Sequence, residues 1–317
     1  MILYSLFATF MGCSDNTSEQ IDQKTSYVSI QTTSFPVHYL VEQVSKGHKE
    51  IEISCILPVG EDAPFWNPDA TQVLALQEAD LIISNGANFE PFLQKISLEQ
   101  QKIIDTSKGI QLIQMEGETH SHGKKGAHSH AGVDPHLWLD PKAYIQQARN
   151  IKDALIQADQ SHRGLYEYGY TKLEDQLQNI HRDILNATTK LRRYEIAANH
   201  PAYNYFAKRF SLQIQNFDFD PETAVSEEQI QKFQQYVQRV EGNGKPAIVF
   251  WESEPSEEAK ESLKGNQNPP PNIIHVVFPP LEQPETADTS YDYLKQYQDN
   301  IKIIEKLISQ LEMLQNK

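Results

Sequence analysis

Asp69 to Gly86 reads DATQVLALQEADLIISNG. The spacing predicts a helix through Asp69–Ala79, followed by a short apolar strand over Asp80–Ser84 that closes on the turn pair Asn85-Gly86. A helix feeding a short apolar run, repeated along a chain, indicates βαβ units and a parallel sheet. The same alternation extends upstream, with a strand at Tyr27–Ile30, a helix at Val37–Val44 and a strand at Ile51–Val59. Downstream, Lys102–Ile113 (KIIDTSKGIQLI) reads as a further helix-to-strand passage. Ligand-binding loops in such sheets lie beyond the carboxyl ends of the strands, so Gly60–Pro68 and Asn85-Gly86 are candidate cleft loops.

From Pro141 the pattern turns helical, with a break around Asp159–His162. Leu165–Leu191 then spaces apolar residues every three or four positions, predicting a helix close to 40 Å long at roughly 1.5 Å per residue. A second alternating half follows. Strands are expected at Tyr194–His200, Leu212–Phe217, Ala247–Glu252 and Ile273–Phe278, and helices at Tyr203–Phe210, Ser226–Val240 and Tyr291–Leu314. The fold class is therefore α/β: two lobes, each a parallel β-sheet flanked by helices, joined by one long rigid helix. The expected boundaries are a tether over 1–26, an N-terminal lobe over 27–163, the connecting helix over 164–191 and a C-terminal lobe over 192–317. A chain of 317 residues with 39% hydrophobic content is long enough for two lobes, each with its own core.

Charge narrows the partners. With 43 acidic against 28 basic residues the formal net charge is −15, and the positive field that nucleic acid or an anionic membrane surface requires is missing. Cations are the natural clients. Between Gly117 and Pro141 the chain reads GETHSHGKKGAHSHAGVDPHLWLDP, which places five of its eleven histidines (His120, His122, His128, His130 and His136) within seventeen residues. Imidazole is a leading zinc ligand, and a tract of His separated by Gly, Ser and Lys cannot build a core but can collect metal loosely. His38, His48, His162, His181 and His275 stand singly on expected elements and read as structural. The sequence holds no Gly-x-Ser-x-Gly, His-Glu-x-x-His or phosphate-loop motif, so no enzyme is expected.

The N-terminal MILYSLFATFMGC is too short and too quickly ended to span a membrane, which takes about 20 apolar residues. It resembles a bacterial lipoprotein signal, with Cys13 as the lipid anchor, although no Lys or Arg precedes the apolar run. With Cys13 so used, Cys55 remains alone, no intrachain disulfide forms, and the thiol is expected in the core.

Several phrases then fall in one order: Thr33–Pro36 (TSFP), Pro58–Asp62 (PVGED), Glu78–Gly86 (EADLIISNG), Phe89-Glu90, Asp134–Pro141 (DPHLWLDP) and His200–Ala207 (HPAYNYFA). Together they resemble the solute-binding proteins and lipoproteins that feed zinc and manganese ABC importers, over nearly the whole chain beyond the tether. The resemblance implies two lobes with a metal in the cleft between them, held by one ligand from each of four loops. His136 fits the second ligand position and His200 the third. Pro64 stands where the family has its first histidine, and Pro279 where it has its last carboxylate. Neither ring has a donor atom, so Glu61, Asp62, Glu252, Glu282, a histidine of the 120–130 loop, or water would have to complete the shell.

The reading that follows is an extracytoplasmic, membrane-anchored monomer in the periplasm or at the cell surface. It captures Zn2+, or secondarily Mn2+, and delivers it to an ABC permease. A histidine-rich site favours zinc. His136 and His200 are the expected metal ligands, with His120, His122, His128, His130 and Glu252 as auxiliaries. The alternative is a family member with a degenerate site that serves as an anchored accessory or interaction lipoprotein, or binds another ligand against Phe65 and Trp66. A zinc hydrolase with an open coordination position would need a general base that the sequence does not identify.

Overall fold

The computed structural model describes residues 28–115, 132–217, 219–284 and 290–315, and the backbone alone over 119–121 and 127–129. The expected lipid anchor, Cys13, lies outside the described residues.

The stretch from Asp69 folds as its chemistry directs. Asp69 caps helix α2 (Ala70–Glu78) in a reciprocal box, its carboxylate accepting from the Gln72 amide while the Gln72 side chain accepts from the Asp69 amide. The next strand, β3 (Leu81–Ser84), is buried at all four positions, as a strand covered on both faces must be. It pairs in parallel with β1 (Val28–Thr32) and with β4 (Ile103–Asp105), while β1 also pairs with β2 (Ile51–Cys55), giving the order β2-β1-β3-β4. Helix α1 (Phe35–Val44) follows β1 and starts with Pro36 in its first turn, where a missing amide proton costs nothing.

Two short antiparallel pairs follow, β5 (Gln114–Met115) with β8 (Gly132–Val133) and β6 (Thr119–Ser121) with β7 (Ala127–Ser129), and the second large sheet then repeats the plan of the first. Strands β9 (Glu195–Ala198), β10 (Gln213–Asn216), β11 (Ala247–Trp251) and β12 (Ile273–Val277) lie in the order β10-β9-β11-β12, all parallel. Both sheets thus follow a second-first-third-fourth order. Each reverses direction between its first and third strands, which opens a crevice at the carboxyl ends.

Between the sheets run α3 (Pro141–Ala158) and α4 (Arg163–Thr188). At 26 residues α4 is about 39 Å long. It lies so close to the end of α1 that a Cβ on Gly169 would come within 2.2 Å of the Val44 carbonyl oxygen. The helices α5 (Asn204–Phe210), α6 (Glu227–Gly242), α7 (Glu257–Lys264) and α8 (Tyr293–Gln315) complete the second half. No described helix is long and apolar enough to cross a membrane.

Three expectations are corrected. The main core is continuous: one buried cluster runs from Ile30, Ile82 and Ile83 through Tyr166, Leu173 and Leu177 to Ile248 and Phe250. A smaller cluster around Phe217, Phe233, Tyr236 and Trp251 covers the other face of the second sheet. Residues 102–113 carry only the end of a short 3-10 turn (Gln100–Lys102) before β4, and the strand stops after three residues, where Asp105 turns the chain by accepting from the Ser107 amide and hydroxyl. Helix α7 was not foreseen, although Ser256 caps it through the Ala259 amide and Glu257 and Glu258 suit its N-terminal dipole.

Candidate metal centre

The carboxyl ends of both sheets open on one cavity of about 440 Å3. Its wall includes Gly60–Asp62 and Pro64 from the loop after β2, Phe89 after β3, and His136 from the first half. The second half contributes His200 after β9, Asp220 and Glu222 after β10, and Glu252 at the end of β11. Glu282 and Gln283 come from the loop after β12.

His136 and His200 approach from opposite lobes, their ring centroids 5.6 Å apart and their planes at 85°. A zinc ion held by two imidazole nitrogens at roughly 2.0–2.1 Å, with near-tetrahedral angles, separates the ring centres by about 5 Å. The two rings are therefore spaced to share one ion, and both are buried, at 2% and 7% exposure.

Each is held from behind. His136 Nδ1 lies 2.7 Å from Asp134 Oδ1, which also accepts from the His136 amide, and Asn204 Nδ2 donates to Asp134 Oδ2. Because Nδ1 is held by a fully buried carboxylate, a metal would be bound through Nε2. The histidine's partner loop is fixed in turn: Asn85 Nδ2 donates to the Pro135 carbonyl, and the Asn85 side-chain oxygen accepts from Gln147. His200 follows Asn199, whose side chain accepts from the Glu252 amide and donates to the Phe219 carbonyl. One asparagine thereby joins the ends of β9, β10 and β11 and sets Glu252 beside His200 on the cavity wall.

Beneath the first-lobe wall lies Glu90, a carboxyl that the sequence marks only as part of a phrase. It accepts from the Thr33 hydroxyl at 2.6 Å and from the Asn85 and Gly86 amides at 2.8 and 3.2 Å. Burial pushes its pKa up to about 7 against these donors. Gly86, with φ +77°, presses on Asp105, whose Oδ1 would lie 1.8 Å from an added Cβ. A side chain there has no room.

The cleft is bridged at its rim. Gln283 accepts from the Gly60 amide at 3.2 Å and donates to the Glu61 carbonyl at 2.8 Å, so one side chain of the second half grips the first. Pro64 lines the cavity, whereas Pro279 faces a neighbouring space and its carbonyl accepts from Asn300. Trp66 is 9% exposed and packs edge-on against Phe92 at 5.0 Å, a core contact and not an aromatic cage. In the 117–133 loop, β6 (Thr119–Ser121) and β7 (Ala127–Ser129) pair antiparallel with His120 opposite His128. His122 and His130 lie outside the described residues.

A second group brings donor atoms within 4.8 Å of one another: His48, Asp159 and His162, at the α3–α4 junction. Here Asp159 Oδ2 lies 3.0 Å from His48 Nε2 and 2.6 Å from His162 Nδ1, and accepts from the Tyr166 hydroxyl. His48 Nδ1 accepts from the Glu50 amide, so a neutral ring carries its proton on Nε2. A metal on Nε2 would require that proton to move to Nδ1 and so break the hydrogen bond from the Glu50 amide, and the group reads as a structural knot. His275 likewise accepts from Trp251 Nε1, and burial foremost lowers its pKa to about 4.

The family described as zinc-uptake complex component A, periplasmic (ZnuA) matches residues 30–307. The chain belongs to the ZnuA family. It is 24% identical to the zinc-binding lipoprotein AdcA of Streptococcus pneumoniae, over 98% of its own length and 61% of that protein. It thus spans less than two thirds of AdcA. Identity is 21% to the high-affinity zinc uptake system protein ZnuA of Bacillus subtilis, with 95% of each chain covered, and 23% to the manganese ABC transporter substrate-binding lipoprotein PsaA of S. pneumoniae, with 93% of each covered. Among solved structures, the metal-dependent lipoprotein YcdH of B. subtilis superposes with a TM-score of 0.72 at 19% identity, covering 88% of this chain and 98% of that one. The Zn(II)-bound ZnuA-like domain of S. pneumoniae AdcA gives 0.71 at 20% identity, with the same coverage. These likenesses establish a ZnuA-type two-lobe α/β fold for the chain.

Proposed function

We propose that this chain is an extracytoplasmic solute-binding protein that captures Zn2+, with Mn2+ as a secondary cargo, and delivers it to the permease of an ABC importer. The observation that carries the reading is the meeting of His136 and His200, one from each half, at the separation two imidazoles sharing one ion adopt. Relatives named for zinc binding, zinc uptake and manganese transport support the cargo class. Two nitrogen donors favour zinc over manganese, which prefers oxygen. Glu252 is the auxiliary ligand, and the cavity's acidic wall, with Glu61, Asp62, Asp220, Glu222 and Glu282, draws a cation inward.

The working units are the lobes 27–163 and 192–317, set on either side of the helix 164–191. The protein acts as a monomer in the periplasm or at the cell surface, anchored to the membrane by a lipid on Cys13, and His120, His122, His128 and His130 collect metal at low affinity. It binds and releases its cargo unchanged and is no enzyme. The test is zinc uptake by cells lacking the gene and supplied with wild-type or His136→Ala/His200→Ala protein in zinc-poor medium. The wild type restores uptake and the double variant does not; equal uptake by both overturns the proposal.

A further inference from the structure

A second cavity of about 520 Å3 adjoins the metal cavity and shares four wall residues with it, Glu252, Ser253, Glu282 and Gln283. It opens between the loop after β12 and the inner face of α8. The loop forms it: Pro279-Pro280 carries the chain out of β12, and Leu281 sits at φ +57°, an unfavourable conformation for a branched residue. Three tyrosine and tryptophan bonds hold that path. Trp138 Nε1 donates to the Pro280 carbonyl at 2.7 Å, the Tyr291 hydroxyl to the Leu281 carbonyl at 2.7 Å, and the Tyr203 hydroxyl to the Phe278 carbonyl.

The chamber is far larger than an ion needs. Its walls combine Val277, Pro280, Leu281 and Ile303 with the amides of Gln296 and Asn300. Both amide nitrogens are committed, Asn300 Nδ2 to the Pro279 carbonyl and Gln296 Nε2 to the Gln283 carbonyl, each at 3.0 Å. Each of these bonds uses one N–H of its amide and fixes the side chain in place, so the amide oxygen is held ready to accept from an incoming donor such as an amine. An apolar wall with a few fixed polar groups is the build of a small-molecule site, and the place lies beside two imidazoles whose expected companions are prolines.

We propose that the cargo is a divalent zinc ion already chelated by a small organic ligand, whose body occupies this chamber. On this account, which rests on His136 and His200 holding the ion, the chelator's own nitrogen and oxygen donors fill coordination positions that Pro64 and Pro279 cannot. The acidic wall selects a chelate with zero or positive net charge, because an anionic one meets Glu252 and Glu282 at the shared boundary. The association exchanges ligands at the metal, water leaving as imidazole binds, and involves no redox step.

Calorimetry on the full chain would compare zinc chloride, an equimolar zinc–L-histidine mixture and zinc citrate, with native mass spectrometry of each product. Zinc–L-histidine is expected to bind at least tenfold more tightly than free zinc, with histidine retained in the bound mass, and citrate to reduce binding. Ile303→Phe and, separately, Val277→Phe fill the chamber. Each should abolish the tenfold gain while leaving the affinity for zinc chloride unchanged, with melting temperature as the control for folding. A bound mass of protein plus zinc alone, or a gain that survives both substitutions, overturns the proposal. His136→Ala/His200→Ala separates the two claims: if that variant still binds either form of zinc as the wild type does, the underlying capture site is wrong, not merely the chelator.

Discussion

His136 depends on what lies behind it. Asp134 fixes the ring's tautomer and direction through the 2.7 Å contact at Nδ1, and Asn204 holds Asp134 from the other side. Such outer partners typically tune metal affinity by roughly 10–100-fold. Asp134→Asn, nearly the same shape, is expected to weaken zinc binding by about that factor in calorimetry while leaving the melting temperature close to wild type; unchanged affinity contradicts the role. That His136 and His200 stand out was legible because each sits in a distinctive phrase, DPHLWLDP and HPAYNYF, and the structure brings both to one cavity. Their supports were not, because hydrogen bonds across 70 residues, like that from Asn204 to Asp134, leave no local pattern. Glu90 stands in the phrase Phe89-Glu90, but its burial and its bond to Thr33, 57 residues away, leave no mark in the sequence. Its pKa, raised from 4.5 to about 7 chiefly by burial, means the folded state holds its proton more tightly than the unfolded chain does. The stability it contributes is complete below about 4.5 and is lost as pH rises through about 7. The difference in urea midpoint between wild type and the non-titrating Glu90→Gln should therefore shift against the wild type between pH 5 and pH 8. A constant difference would show that Glu90 titrates alike in both states.

At the scale of elements, periodicity found the strands and long helices but not the places where they touch. Alternation located β3, β9 and β11 because their apolar runs are unbroken, and the spacing of Leu173, Leu177, Ile180 and Ile184 located α4. It misread 102–113, where three residues of edge strand precede a turn held by Asp105, and passed over α7, whose eight residues give too few periods. Nor did it mark Gly169, which in sequence is an unremarkable helical glycine. The structure makes it the contact between α4 and α1, with carbonyl oxygens of Val44 and Gln43 at 2.2 and 2.9 Å from an added Cβ. Backbone cannot rotate away as a side chain can. Gly169→Ala, which raises intrinsic helix propensity, should nonetheless destabilise the fold by about 1–3 kcal/mol, measured as a lower urea midpoint. Stabilisation would mean that the helices part without cost.

The two four-stranded sheets belong to one body. Its main core passes from the first sheet through α4 to the second. Helix α8 binds the halves further, with the Tyr293 and Tyr297 hydroxyls donating to the Trp138 and Leu139 carbonyls of the phrase that carries His136. The reading of two lobes on a long helix was legible from the βαβ alternation, and the repeated strand order bears it out. The continuity of the core was not, since a sequence pattern says which face is apolar and not what covers it. A shared core predicts a single cooperative thermal transition with equal calorimetric and van't Hoff enthalpies; two resolved transitions would contradict it.

The central claim is that one zinc ion is held jointly by His136 and His200. Calorimetric zinc titration of the wild type, of His136→Ala/His200→Ala, and of a chain with His120, His122, His128 and His130 all changed to Ala tests it most directly. The account predicts that the loop variant keeps the tight site and the cleft double variant loses it. Tight binding that survives loss of both cleft histidines but disappears with the loop histidines would contradict it.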